Sequence, residues 1–165
     1  LTSIAEQAFT ASAQIPARDM NGTNAGDGVF AMLEFSGAGG AAAPVFTFKY
    51  TNQAGTTGKT AGTVLASANS PPAGRSYLFA LAAGDTGVQK AESITLSTSQ
   101  LSGTAHVVLF RVLAELELPL AGITNAVDGL TGGFNRAYDN TVPFLIAIST
   151  GASTAVSGHA HFSQG

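Results

Sequence analysis

VFTFKYT, residues 45–51, is the stretch whose reading decides the fold. Phe46, Phe48 and Tyr50 fall on one side of an extended chain, with Thr47, Lys49 and Thr51 on the other. Successive side chains leave a pleated backbone on opposite faces, so a period of two is the strand period. One face of this strand is built for a core and the other for a polar boundary.

Working outward, similar runs recur between Gly-, Ala-, Ser- and Thr-rich connections. Val29–Phe35 (VFAMLEF) and Ser76–Ala82 (SYLFALA) read as strands. So does Gln89–Ser99, with Ile94 and Leu96 inward and Ser93, Thr95 and Ser97 outward. Gly103–Leu118 (GTAHVVLFRVLAELEL) is the longest apolar stretch. Val107, Val108 and Val112 favour a long strand, with a bulge near Arg111 and a stop at Pro119. Val142–Thr150 and Thr154–Phe162 complete the set. Turn clusters punctuate them at 37–44, 55–58, 69–74 and 84–87.

The expected fold is all-β: an antiparallel β-sandwich, jelly-roll-like, of about seven or eight strands with an N-terminal arm. The expected core is Phe46, Phe48, Tyr50, Leu78, Ile94, Leu96, Val108, Phe110, Phe144 and Ile146. The domain boundaries are 1–24 for the arm and 25–165 for the sandwich. Leu1–Asn24 lacks strand alternation and carries Pro16. It is expected to reach onto a neighbouring subunit, with Ile4, Phe9 and Ile15 as the contacting side chains.

Composition narrows the function. Only 10% of residues are charged while 45% are hydrophobic, and mean hydropathy is +0.25. Ordinary soluble domains carry about 25% charge. A surface so poor in charge suits a chain covered by other subunits. The seven basic residues are scattered, which leaves no footprint for nucleic acid. No apolar run is long enough to span a bilayer, so no membrane partner is expected. The absence of Cys excludes disulfides and thiolate metal sites. No signal peptide is read at the N-terminus, and Leu1 in place of Met points to a cleaved, trimmed or omitted start.

Few motifs carry chemistry. Asp19, Asn21, Asn24 and Asp27 could wrap a hard cation such as Ca²⁺, yet Phe30 stands where an EF-hand loop needs its bidentate Glu. Asx/Gly clusters are far more often plain turns. His159 and His161 share one strand face, and such pairs meeting on a threefold axis could hold a metal. A polar edge strand explains them equally. His106 reads as a core or interface residue. Glu115 and Glu117 lie at a spacing open to acid/base work, but outward-facing strand carboxylates are commoner. The G-D-T-G at 84–87 reads as a turn, and no nucleophile elbow or phosphate loop occurs. No catalytic residue, metal or cofactor is assigned, and an enzyme is not expected.

Between Phe48 and Leu118 the chain resembles virion proteins of tailed bacteriophages. The resemblance lies in FKYTNQAGTTGKT (48–60), LAAGDTGVQKAESITLSTS (81–99) and HVVLFRVLAELEL (106–118). It covers about two fifths of the chain and rests on texture: aromatic strand, Gly/Thr turn, Ser/Thr-rich strand, long apolar strand. It implies a non-enzymatic structural subunit located in the virion, a capsid decoration or cement protein that stabilises the head. Its implied partners are itself, as a homotrimer, and the major capsid protein. A neck, tail or baseplate subunit is the alternative. A carbohydrate-binding β-sandwich module is a further one, disfavoured because the chain has no Trp.

Overall fold

The computed structural model describes residues 1–10, 14–62, 65–66, 69–117, 125–129 and 132–146. The chain divides into two compact units, Leu1–Leu113 and Ala114–Gly165, rather than at Asn24. The first unit is all-β and sandwich-like, with no helix among the described residues.

Four strands carry the fold: β2 (Val29–Gly37), β3 (Val45–Asn52), β7 (Val88–Leu96) and β8 (Thr104–Arg111). Four short ones accompany them: β1 (Gln7–Ala8), β4 (Lys59–Thr60), β5 (Leu65–Ala66) and β6 (Ser76–Phe79). The larger sheet runs β1-β7-β3-β4, with β5 also pairing β3, and the smaller runs β6-β2-β8. Every pairing is antiparallel.

The two sheets meet through one apolar cluster. β3 contributes Phe46, Phe48 and Tyr50, each fully buried, as its alternation demands. β2 faces them with Ala31, Leu33 and Phe35. Aromatic pairs bridge the gap between sheets: Phe35 meets Phe46 edge-on at 6.2 Å, and Phe48 stacks on Phe79 at 5.0 Å. Fully burying one such ring is worth about 1.5–3 kcal/mol.

Two register shifts shape the β3–β7 ladder. Phe46 pairs with Leu96 and Phe48 with Ile94, but Tyr50 pairs with Ala91 and Asn52 with Val88. Each shift skips one β7 residue, Glu92 and then Gln89, and an extra residue reverses which parity points inward. Ile94 and Leu96 face the core as expected, and Ala91 and Val88 follow only because of the bulges.

The smaller sheet corrects several core expectations. Met32 pairs with Leu78 and Val108, and Phe30 pairs with Phe110. These five residues lie on the outer face, since directly opposed residues share a face. The inner residues are their neighbours Phe79, Tyr77, Ala105, Val107 and Leu109. Leu78 is therefore 43% exposed, and Val108 and Phe110 are only half-buried. The long strand stops at Arg111, because its partner β2 begins at Val29, the residue opposite. The expected bulge near Arg111 lies instead at the other end, between Phe35 and Gly37.

Leu1–Asn24 also departs from expectation. Gln7 and Ala8 pair with Ile94 and Ser93, and the Phe9 and Ile15 amides donate to the Glu92 and Gln89 carbonyls at 2.8 and 3.1 Å. Leu1, Phe9 and Ile15 pack against the chain's own core. Gln7–Phe9 and Ile15 extend the larger sheet along β7, and no neighbour is needed to satisfy those groups. Backbone pairing at a sheet edge requires no alternation of side chains, which is why the sequence pattern did not reveal it.

In the second unit, residues 142–146 form no strand, and Val142, Phe144 and Leu145 are exposed, which removes Phe144 from the expected core. Ile146 is half-buried. The rest of Val142–Thr150 and all of Thr154–Phe162 lie outside the described residues. Arg136 sits over the Tyr138 ring at 5.0 Å beside a shallow cleft lined by Ala137, Tyr138, Asn140, Thr141 and Pro143.

Candidate functional site

Three features of the first unit bear on function. The first is the outer face of β6-β2-β8. Phe30, Leu78, Val108 and Phe110 form an apolar strip there around Met32, which is itself buried at 4% exposure; Phe30 is 37% exposed and its ring lies 6.1 Å from that of Phe110. At the polar end Glu34 stands opposite His106, which is exposed rather than in the core. The corresponding face of the larger sheet is polar, with Thr47, Lys49 and Thr95 half-buried and Ser93 buried beneath a hydrogen bond to Glu6. The sandwich is thus dressed differently on its two sides.

The second feature is the loop from Asp19 to Gly28. Asp19 is fully buried, and donors converge on its carboxylate. Oδ1 accepts from the Asn21 and Thr23 amides at 2.9 and 2.7 Å. Oδ2 accepts from the Thr23 hydroxyl at 2.6 Å and the Gly26 amide at 3.0 Å. Burial pushes the Asp19 carboxyl up, but the hydrogen bonds of Thr23, Gly26 and Asn21 outweigh it and hold it below its ordinary value. Asp27 accepts from the Asn21 side-chain amide at 3.1 Å and from the Thr86 hydroxyl at 2.6 Å, and it bridges to Gly87.

The structure therefore does bring Asp19, Asn21 and Asp27 together, as the cation reading required. The groups that surround Asp19 are N–H and O–H donors, the opposite polarity to a cation's oxygen shell. The arrangement is an Asx-type clamp that ties the loop to the start of β7. No group of three or more His, Asp or Glu suited to a metal occurs among the described residues. His159 and His161 lie outside them.

The third feature was not read from the sequence. Tyr50 donates to Asp85 Oδ2 at 2.6 Å and accepts from the Ala82 amide at 2.8 Å. Asn52 donates to Asp85 Oδ1 at 2.8 Å, and Lys59 stands 3.5 Å away. The Tyr50 bond, helped by Asn52 and Lys59, holds Asp85 below the usual carboxylate range against the effect of burial. Burial, reinforced by Asp85, pushes the Tyr50 phenol up to about 12. The G-D-T-G turn was legible, but nothing in its spacing pointed to Tyr50, 35 residues earlier.

Of the expected interface residues, Ile4 is 59% exposed, whereas Phe9 and Ile15 are partly buried against the chain's own core. Glu115 and Glu117 are exposed and outside any strand. Comparison with protein-family models, curated proteins and solved structures finds no match to this chain.

Proposed function

We propose that the chain is a non-enzymatic structural subunit of a bacteriophage virion, a capsid decoration or cement protein. In this reading it self-associates as a homotrimer and stabilises the head against the major capsid protein. The observation that carries the proposal is the apolar strip on one outer face, where Phe30 and Leu78 are exposed and Val108 and Phe110 half-buried around a buried Met32. A chain with 10% charged residues has little else to keep such a face in water. Apolar sheet faces are what obligate interfaces use, and such interfaces bury about 2,000 Å² or more. The polar opposite face and the self-satisfied hydrogen-bond clusters add no competing binding chemistry.

Light scattering of the purified chain tests the assembly. A homo-oligomer at micromolar concentration, dispersed by the pair Phe30→Glu and Leu78→Glu, is expected. A stable wild-type monomer overturns the self-association. Failure of the oligomer to bind phage heads lacking decoration overturns the capsid role.

A further inference from the structure

Asn21 is the only asparagine in the chain followed by glycine. That pair is chemically special. Glycine has no Cβ, so its backbone nitrogen can approach the preceding side-chain carbonyl without hindrance. Asn21 and Gly22 are both exposed, so water and base can reach them. Their reactive groups are nevertheless engaged in separate hydrogen bonds. The nucleophile, the Gly22 amide, donates to the Asp19 carbonyl at 3.2 Å. The leaving group, the Asn21 side-chain amide, donates to Asp27 Oδ2 at 3.1 Å. The Asn21 backbone is pinned by Asp19 Oδ1 at 2.9 Å. Reaction needs this loop to open, and opening means stripping the buried Asp19 carboxylate of its donors.

We propose that Asn21 is a deamidation site whose rate is set by the Asp19 clamp. When the loop opens, the Gly22 nitrogen loses its proton to solvent base and bonds to Asn21 Cγ. The Cγ–Nδ2 bond breaks, and the amide leaves as ammonia after taking up a proton from water. The resulting succinimide ring then adds water and opens to aspartate or isoaspartate. Either product places a carboxylate where an amide had donated to Asp27. Two like charges then face each other, and isoaspartate also lengthens the backbone inside the turn. Both changes loosen the Asp27–Gly87 bridge that ties the loop to β7. The clamp thus protects the segment that it closes.

The test incubates the full chain in mildly alkaline buffer and follows residue 21 by peptide mapping that separates Asn, Asp and isoAsp. Wild type, Thr23→Val and Asp19→Asn are compared, with circular dichroism confirming that each retains its strands. Thr23→Val deletes one of the clamp's donors and leaves the carboxylate in place. Modification should appear at Asn21 before any other asparagine. It should be faster in Thr23→Val, and faster by about tenfold or more in Asp19→Asn, where tenfold is about 1.4 kcal/mol of loop opening. If Asp19→Asn does not fold, Thr23→Val decides the matter. Equal rates in the folded proteins overturn the gating. An Asn21 that stays intact even in urea, or another asparagine reacting first, overturns the site.

Discussion

The Tyr50 phenol and the Asp85 carboxylate share a 2.6 Å hydrogen bond that joins strand β3 to the turn leading into β7. Both partners are nearly inaccessible: Tyr50 is 0% exposed and the Asp85 side chain 5%. The bond favours a neutral phenol beside an ionised carboxylate. Its sign therefore differs at the two ends of the pH scale.

At the alkaline end, the folded phenol titrates at about 12, above its ordinary 10.0. The stability tied to that proton is fully present below about pH 10 and is lost as pH rises toward 12. Denaturation midpoints should fall over that window in wild type and less so in Tyr50→Phe. At neutral pH Tyr50→Phe should cost about 1–3 kcal/mol, because Asp85 and the Ala82 amide lose a partner. An unchanged midpoint would show that water replaces the hydroxyl.

At the acid end, Asp19, Asp85 and Glu6 are all held below their ordinary values. For Glu6 the causes are the Ser93 hydrogen bond and Lys49, 3.0 Å away. Stability from these groups is present above the ordinary carboxylate range and is lost as pH falls through their folded values. Urea midpoints measured downward from about pH 5 should drop. Asp19→Ala should flatten part of that limb and cost about 1.5–3 kcal/mol at neutral pH.

The facing of β6 separates two neighbouring residues. Phe79, stacked on Phe48, is 3% exposed, whereas Leu78 is 43% exposed on the outer face. Phe79→Ala and Phe48→Ala should each cost about 3–5 kcal/mol. Leu78→Ala should cost less than about 1 kcal/mol in the isolated subunit. Equal losses at 78 and 79 would contradict the register with β2.

Gly26 and Gly87 cross backbones beside the Asp19 loop. A Cβ on Gly87 would overlap the Gly26 carbonyl oxygen, and Gly26 itself adopts φ +97°. Gly87→Ala should cost about 1–3 kcal/mol or more, since backbone must move. Hydrogen exchange should show the loss concentrated in residues 19–28 and at the start of β7.

The sequence by itself determined the all-β class and most strand positions. Where one face is apolar and the other polar, as in VFTFKYT, alternation sets both the element and its orientation. The aromatic face of β3 is buried as read. The tertiary structure decided what alternation leaves degenerate. Tyr77-Leu78-Phe79 and Val107–Phe110 are apolar on both faces, so only pairing with β2 selects the inner set. The β7 bulges reverse parity at Glu92 and Gln89 through the partner's register, which no local signal encodes. The same holds for β1, whose anchoring is backbone to backbone, and for Tyr50–Asp85, a contact across 35 residues made by folding alone. Local pattern carries the one-dimensional choice between faces, whereas register and long-range polar pairing exist only once the strands are assembled.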